Sequence, residues 1–285
     1  MRFIGGTLVL ALPRRASASQ VDSAIAAAAR ASTGTVGVFA RTMSPSAAPV
    51  AYNADESFPT ASVIKVLILV TLFRRVDRDP ALLERRIATP DSKVVDGSPM
   101  FDSAAHDAAF SVATLAHAMI VESDNTASNQ LIDLLGFESI NATAQAFGLT
   151  HTHLRRHFMD VHAMRNHSEN VSTPRDMGSL LYQIERGWRE GIRTIASPLA
   201  CKHMIDLMLQ QEDREKIGSG IPHGIPLANK TGEITAVRND IAIVDPYGDS
   251  PYILAVLTKN LDDFSLGVRA IRHIARAVHA TLYER

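Results

Sequence analysis

The chain has 285 residues, 46% of them hydrophobic, with 29 Lys and Arg against 30 Asp and Glu and a formal net charge of -1. That length and apolar share support a large buried core, in two lobes or one large domain. The balance of charge excludes nucleic-acid binding driven by a global basic field, no apolar run is long enough for a stable membrane span, and a single cysteine, Cys201, excludes an internal disulfide.

Along the chain, Met1 and Arg2 precede an apolar stretch over 3–12, and Ala16-Ser17-Ala18 fits a small-residue cleavage site, so residues 1–18 read as a signal peptide despite Arg14 and Arg15. Export to a periplasm or the exterior follows from that reading; a first strand in its place would leave the protein cytoplasmic. An alanine-rich helix is expected over 21–31, then strands at 35–41 and 50–53 joined across Ser44-Pro45-Ser46. Helical patterns follow at 63–75, 111–121, 126–135, 139–147 with Gly148 as C-cap, 174–186 and 198–211, the last holding Cys201 as a small core residue. Strands return at 233–244 and 252–258, and an amphipathic helix over 265–283 closes the chain. Strand, helices, strand predicts an α/β (α+β) fold: an antiparallel sheet flanked by helices, with a helical lobe inserted. The expected division is an α/β lobe of 19–58 plus 215–285 and a helical lobe of 59–214, which carries Ser62.

Three strings place acyl-transfer chemistry on this scaffold: Ser62-Val-Ile-Lys65, Ser123-Asp124-Asn125 and Lys230-Thr231-Gly232. A serine hydroxyl is a weak nucleophile near neutral pH and needs an adjacent base and donors aimed at the developing oxyanion. On a helix, residues three apart share a face, so Ser62 meets Lys65. A lysine that is desolvated and close to a second cation, here Lys230, has its pKa lowered and can take the serine proton. Ser62 also stands at a helix start, where free backbone N–H groups favour negative charge. Ser123-Asp124-Asn125 lies between two helical patterns and is by itself ordinary N-cap chemistry. Functionally, Ser123 can relay a proton and Asn125 can bind a carbonyl. Lys230-Thr231-Gly232, read as a turn leading into a strand, offers a cation, a hydroxyl and room for a substrate at the strand edge.

Taken together and in this order, the strings resemble those of class A β-lactamases and penicillin-binding proteins. The resemblance runs from about Thr35 to the C-terminus and includes Val171-Ser172-Thr173-Pro174 after the omega loop and Arg238-Asn239-Asp240. It implies a β-lactamase-fold serine hydrolase in which Ser62 is acylated, Lys65 is its base partner and Ser123 the relay. Asn125 would orient the substrate amide and Lys65, and Lys230, Thr231 and Arg238 would hold a substrate carboxylate. The backbone N–H groups of Ser62 and Glu233 would form the oxyanion hole. The implied activity is opening of β-lactam rings, with a penicillin-binding-like peptidase or esterase, or a slowly deacylating β-lactam-binding protein, as the alternative. The partner is a small-molecule β-lactam or related amide or ester, no cofactor or metal is implied, and the chain is expected to be a monomer.

Two departures from that family stand out. Counting back from Pro174 puts His157 where class A enzymes carry the glutamate that activates the deacylating water, and from Leu154 onward no glutamate occurs until Glu169. His157 or Asp160 is the expected replacement. Glu233 follows Lys-Thr-Gly where the family has a small residue; its carboxylate would repel an anionic substrate or act as a base, unless it is simply solvated. The five histidines between 151 and 167 read as a polar loop with Arg155 or Arg156 tied to Glu169, and Phe101 as either a cleft-lining aromatic or a core anchor.

Overall fold

A computed structural model describes residues 18–283; the leader expected over 1–18 falls outside that range except for Ala18. In chain order the elements are α1 (Ala18–Ala31), β1 (Thr35–Thr42), β2 (Val50–Tyr52), β3 (Phe58–Pro59), a 3-10 turn Ala61–Ile64 and α2 (Lys65–Val76). Then come β4 (Arg86–Ala88), α3 (Pro99–Asp102), β5 (Ala109–Ser111), α4 (Val112–His117), α5 (Asn125–Leu135), α6 (Phe137–Ala146), α7 (Val161–Arg165), β6 (Val171–Ser172) and α8 (Pro174–Arg189). The chain ends with α9 (Pro198–Leu209), β7 (Leu227–Ile234), β8 (Val237–Val244), β9 (Tyr252–Lys259) and α10 (Phe264–Leu282).

The main sheet runs β2-β1-β9-β8-β7, antiparallel at every step, so strands from both ends of the chain meet in it. Alternate residues of each strand point to opposite faces. In β9, Tyr252, Leu254 and Val256 pack with Val21, Ile25, Ile271 and Ile274 of α1 and α10, whereas Ile253, Ala255 and Leu257 join the larger core on the other side. With both faces covered, these strands read as unbroken apolar runs. Helix α2 is the axis of the larger core: every residue from Lys65 to Phe73 is buried, and a helix that is apolar all round must be enclosed by others. Cys201 lies in this core, as does Phe101, whose ring meets Phe110 edge-on at 5.2 Å; Phe101 is therefore a core anchor. The segment between β2 and β7 is mostly helical and carries two short ribbons, β3–β6 and β4–β5.

The run expected as one strand at 233–244 is two. β7 and β8 form a hairpin in which Ile234 pairs with Val237, and Ala236 in the two-residue turn adopts a φ of 59°. Tight hairpins favour such positive φ values and usually signal them with Gly or Asn; here neither is present. Lys230-Thr231-Gly232 consequently lies within β7, not on a turn before it.

Candidate active site

Ser62 sits on the 3-10 turn just ahead of α2, and three neighbours hold that turn. Asn239 of β8 donates from Nδ2 to the carbonyls of Pro59 (2.9 Å) and Thr60 (3.1 Å), while the Thr60 N–H donates to Asn170 O at 2.9 Å. Gly232 of β7 lies so near that a Cβ there would stand 2.9 Å from both Ser62 N and Thr60 O. Glycine is therefore required for close approach of β7 to the Ser62 turn. The preceding Ala61 is held at a φ of 46°, a costly conformation for a residue with a Cβ, of the kind found where surrounding contacts over-determine a functional backbone.

Ser123 is delivered by a second local distortion. After α4 the chain makes a π-helical turn, Ala118–Glu122, and Ser123 itself is left-handed with φ 61° and ψ 27°. Asp124 caps α5 by accepting from Ala127 N at 2.7 Å and also accepts from Met100 N at 3.1 Å. Asn125 is tied to the same loop, donating from its backbone N to Gly97 O at 3.0 Å and from Nδ2 to Asp96 O at 2.9 Å. Asp124 thus bears out the N-cap reading of this string, and Ser123 and Asn125 are the side chains of the string that face the lysines.

The three strings converge on two buried lysines. Lys65 Nζ donates to Ser123 O at 2.6 Å, Ser123 Oγ at 3.2 Å and Asn125 Oδ1 at 3.0 Å. Lys230 Nζ donates to the same Ser123 Oγ at 3.0 Å and to Thr231 O at 3.0 Å. Burial, reinforced by the charge of Lys230, pulls Lys65 well below the ordinary lysine range. Burial brings Lys230 down to about 7, against the pull of Asp240 and Asp213. A hydroxyl oxygen accepts twice and donates once, so Ser123 can take hydrogen bonds from both lysines and keep its own proton free to give. Ser62, Ser123, Asn125, Thr231, Gly232 and Glu233 all line one cleft of about 730 Å3.

The remaining expected residues stand elsewhere. Arg238 does not line this cleft: it donates to the carbonyls of Ile234 and Val237 at 3.1 and 2.7 Å and lies over the Phe264 ring. Its Nε is 3.7 Å from Glu233 Oε2. Glu233 is partly exposed, as expected, but not free, because it pairs with Lys216 Nζ at 2.7 Å. Lys216 is buried, and its two acidic partners, Asp213 and Glu233, outweigh that burial and raise its pKa. His157 directs Nε2 to Asp133 at 2.9 Å and packs edge-on against Phe137. Asp160 caps α7 by accepting from Ala163 N at 2.9 Å. Neither lines the cleft with Ser62.

The residue that reaches the lysine from the 153–170 segment is Phe158, whose ring centroid lies 4.4 Å from Lys65 Nζ. The register that placed His157 nearest the site is therefore displaced by one residue. Asn129 holds Phe158 there, donating to its carbonyl at 3.0 Å and accepting from its N–H at 2.8 Å. Arg156 clamps the same segment with two bonds to Glu169, at 2.7 and 2.9 Å, which is the arginine–glutamate tie expected from the sequence. Phe158 and Lys216 carried no sequence signal of their own.

Comparison with known proteins adds the following. Residues 20–282 match the family model described as the Beta-lactamase enzyme family. The carbapenem-hydrolyzing β-lactamase KPC of Klebsiella oxytoca is 28% identical over 236 residues, 81% of this chain and 78% of that protein. A β-lactamase of Streptomyces fradiae is 30% identical over 220 residues, 73% and 69% of the two chains. Among solved structures, a β-lactamase from Sphaerobacter thermophilus superposes with a TM-score of 0.83 at 29% identity, covering 95% of this chain and all (100%) of that one. PBP-A superposes at 0.82 with 27% identity, covering 94% and 98%, and a PBP-A variant is known as an acyl-enzyme complex with penicillin G.

Proposed function

Because the chain belongs to the β-lactamase enzyme family, we propose that it opens β-lactam rings through an acyl intermediate on Ser62, assisted by Lys65, Ser123 and Lys230. The observation that carries this reading is the pair of buried lysine amines sharing Ser123 Oγ beside the Ser62 turn. Lys65, shifted toward its neutral form, accepts the Ser62 proton as Oγ bonds to the lactam carbonyl carbon. The backbone N–H groups of Ser62 and Glu233 receive the oxyanion. Ser123 gives its proton to the lactam nitrogen as the C–N bond breaks, and the lysine ammoniums restore it. Asn125 positions both Lys65 and the substrate amide; Thr231 and Gly232 form the strand edge against which the substrate lies. Water then attacks the acyl carbonyl and frees Ser62.

The same reading divides the chain into an α/β lobe of 19–58 plus 215–285 and a helical lobe of 59–214, and residues from both ranges line the cleft. So do a monomeric state and export of the protein. Among the described residues no helix is long and apolar enough to cross a membrane.

One observation favours a second reading, slow release of the acyl group. An aromatic ring, not a carboxylate, approaches Lys65 from the 153–170 segment, and the likeness extends to PBP-A, not only to β-lactamases. A time course of intact-protein mass with penicillin G, alongside absorbance of the lactam ring, separates the two. Steady ring opening with a transient adduct supports turnover. One ring opened per chain with a lasting adduct supports the slow-release reading, and no adduct with no ring opening removes both.

A further inference from the structure

The strand end of the cleft holds an unusual balance of charge. Lys216, only 1% exposed at its side chain, has its ammonium 2.6 Å from Asp213 Oδ2 and 2.7 Å from Glu233 Oε1. Arg238 approaches the other oxygen of Glu233. The Thr231 hydroxyl lies beside Asp213, whose carboxyl stays below the ordinary range despite burial because Lys216, a backbone N–H and Thr231 all favour its charged form. Asp213 and Glu233 both line the cleft alongside Thr231 and Gly232. Lys216 and Arg238 are therefore already matched to acids at this end, Arg214 of the same cleft turns its guanidinium to the carbonyls of Leu227 and Leu209 and to Asn229 Oδ1, and Lys230 is pulled down to about 7 by burial. A negatively charged substituent arriving here has to compete with Glu233 for Lys216 and approach Asp213 as well.

On the acyl-Ser62 reading above, we infer that Glu233 is a specificity-determining residue: its carboxylate occupies the Lys216 position that an anionic substituent would take, and so favours substrates that are neutral at this end, esters or amides in place of carboxylates. Glu233 is suited to such a role because its side chain is 47% exposed, so it can swing or be replaced without opening the core.

The test is the rate of Ser62 acylation by penicillin G and by its neutral methyl ester, in the wild type, Glu233→Gln, Glu233→Ala and Glu233→Asp. The wild type is expected to acylate with the ester at least as fast as with the carboxylate. Glu233→Gln and Glu233→Ala should each raise the carboxylate-to-ester ratio about tenfold or more, with Glu233→Asp remaining near the wild type. A like-charge pair at the surface is screened by salt, which provides a second readout. The carboxylate rate of Glu233→Gln should fall as ionic strength rises, because the uncovered Lys216 then attracts the anion, whereas the wild-type rate should not fall. A wild type that prefers the carboxylate tenfold, or a ratio unmoved by removal of the Glu233 charge, overturns the inference. Absence of any adduct with either compound instead overturns the acyl-Ser62 reading, and this inference with it.

Discussion

Replacing Phe158 with glutamate would put a carboxylate where an aromatic ring now lies 4.4 Å from Lys65 Nζ. At about 4 Å and an effective dielectric of about 20, a full charge pair is worth roughly 4 kcal/mol, or about three pKa units on the lysine. Lys65 is now well below its ordinary range through burial and the Lys230 charge; the new carboxylate would raise it. A raised Lys65 is neutral only at higher pH, so the limb on which acylation increases should move upward by two to three pH units, on the order of the Coulomb figure. The same carboxylate can hold and deprotonate a water beside the acyl carbonyl, a contribution of about 10²–10⁴-fold for a well-placed general base, and should shorten the life of the acyl protein accordingly. Stopped-flow ring opening across pH measures the first effect, and recovery of unmodified mass after a penicillin G pulse measures the second. Phe158→Gln is the control, since it removes the ring without adding charge and should move the limb little. Loss of a buried phenyl ring costs about 3–5 kcal/mol, so all variants are compared at a temperature where circular dichroism shows them folded. If Phe158→Glu leaves both the acylation limb and the adduct lifetime at their wild-type values, the proposed role of Lys65 beside Phe158 is refuted.

Three further outcomes follow from the same geometry. Asn239→Ala removes the two bonds to Pro59 and Thr60 and the one its Oδ1 accepts from Thr258 N at 2.8 Å. Leaving those groups unpaired should cost about 3 kcal/mol in a urea melt and slow acylation by at least tenfold; unchanged acylation would show that the Ser62 turn needs no support from β8. Gly232→Ala forces β7 away from the Ser62 turn, and with misplacement of about 1 Å costing about 10²-fold, acylation should fall by that order with little loss of melting temperature. A rate within threefold of wild type would contradict the close approach. Glu185, buried and held 3.0 Å from Arg189, is raised from 4.5 to about 7, chiefly by burial. Because its folded pKa exceeds its unfolded one, the protonated form is favoured by folding: the contribution of Glu185 to stability is greatest below 4.5 and declines as pH rises to about 7, by roughly 3 kcal/mol. Glu185→Gln should flatten that decline in melts across the same range, and a variant as pH-dependent as the wild type would disprove the assignment.

How far the fold was legible depends on what each residue reports. The closing helix announces itself because one face is polar, and α8 because Thr173 caps it and Pro174 opens it. The β7–β8 hairpin stayed hidden because Ile241, Ala242, Ile243 and Val244 are buried on both faces of the sheet and do not alternate, and because Ala236 supplies the positive φ without a glycine to mark it. Within the site, the spacing of Ser62 and Lys65 and the second cation at Lys230 were sufficient to anticipate the depressed lysine. Phe158 was not, since counting back from Pro174 crosses a loop in which no periodicity sets register. The Arg156–Glu169 clamp is what fixes that register in space. Lys216 was invisible for a different reason: a lysine is usually solvated, and only the fold brings Asp213 and Glu233 around this one.

The central assignment is the Ser62 nucleophile, and the most direct measurement is peptide mapping of the adduct formed with penicillin G in the wild type and in Ser62→Ala. Attachment of the ring-opened drug to the peptide containing Ser62, and no adduct in the variant, is the predicted result. An adduct that survives in Ser62→Ala, or one that maps to another residue in the wild type, would contradict it.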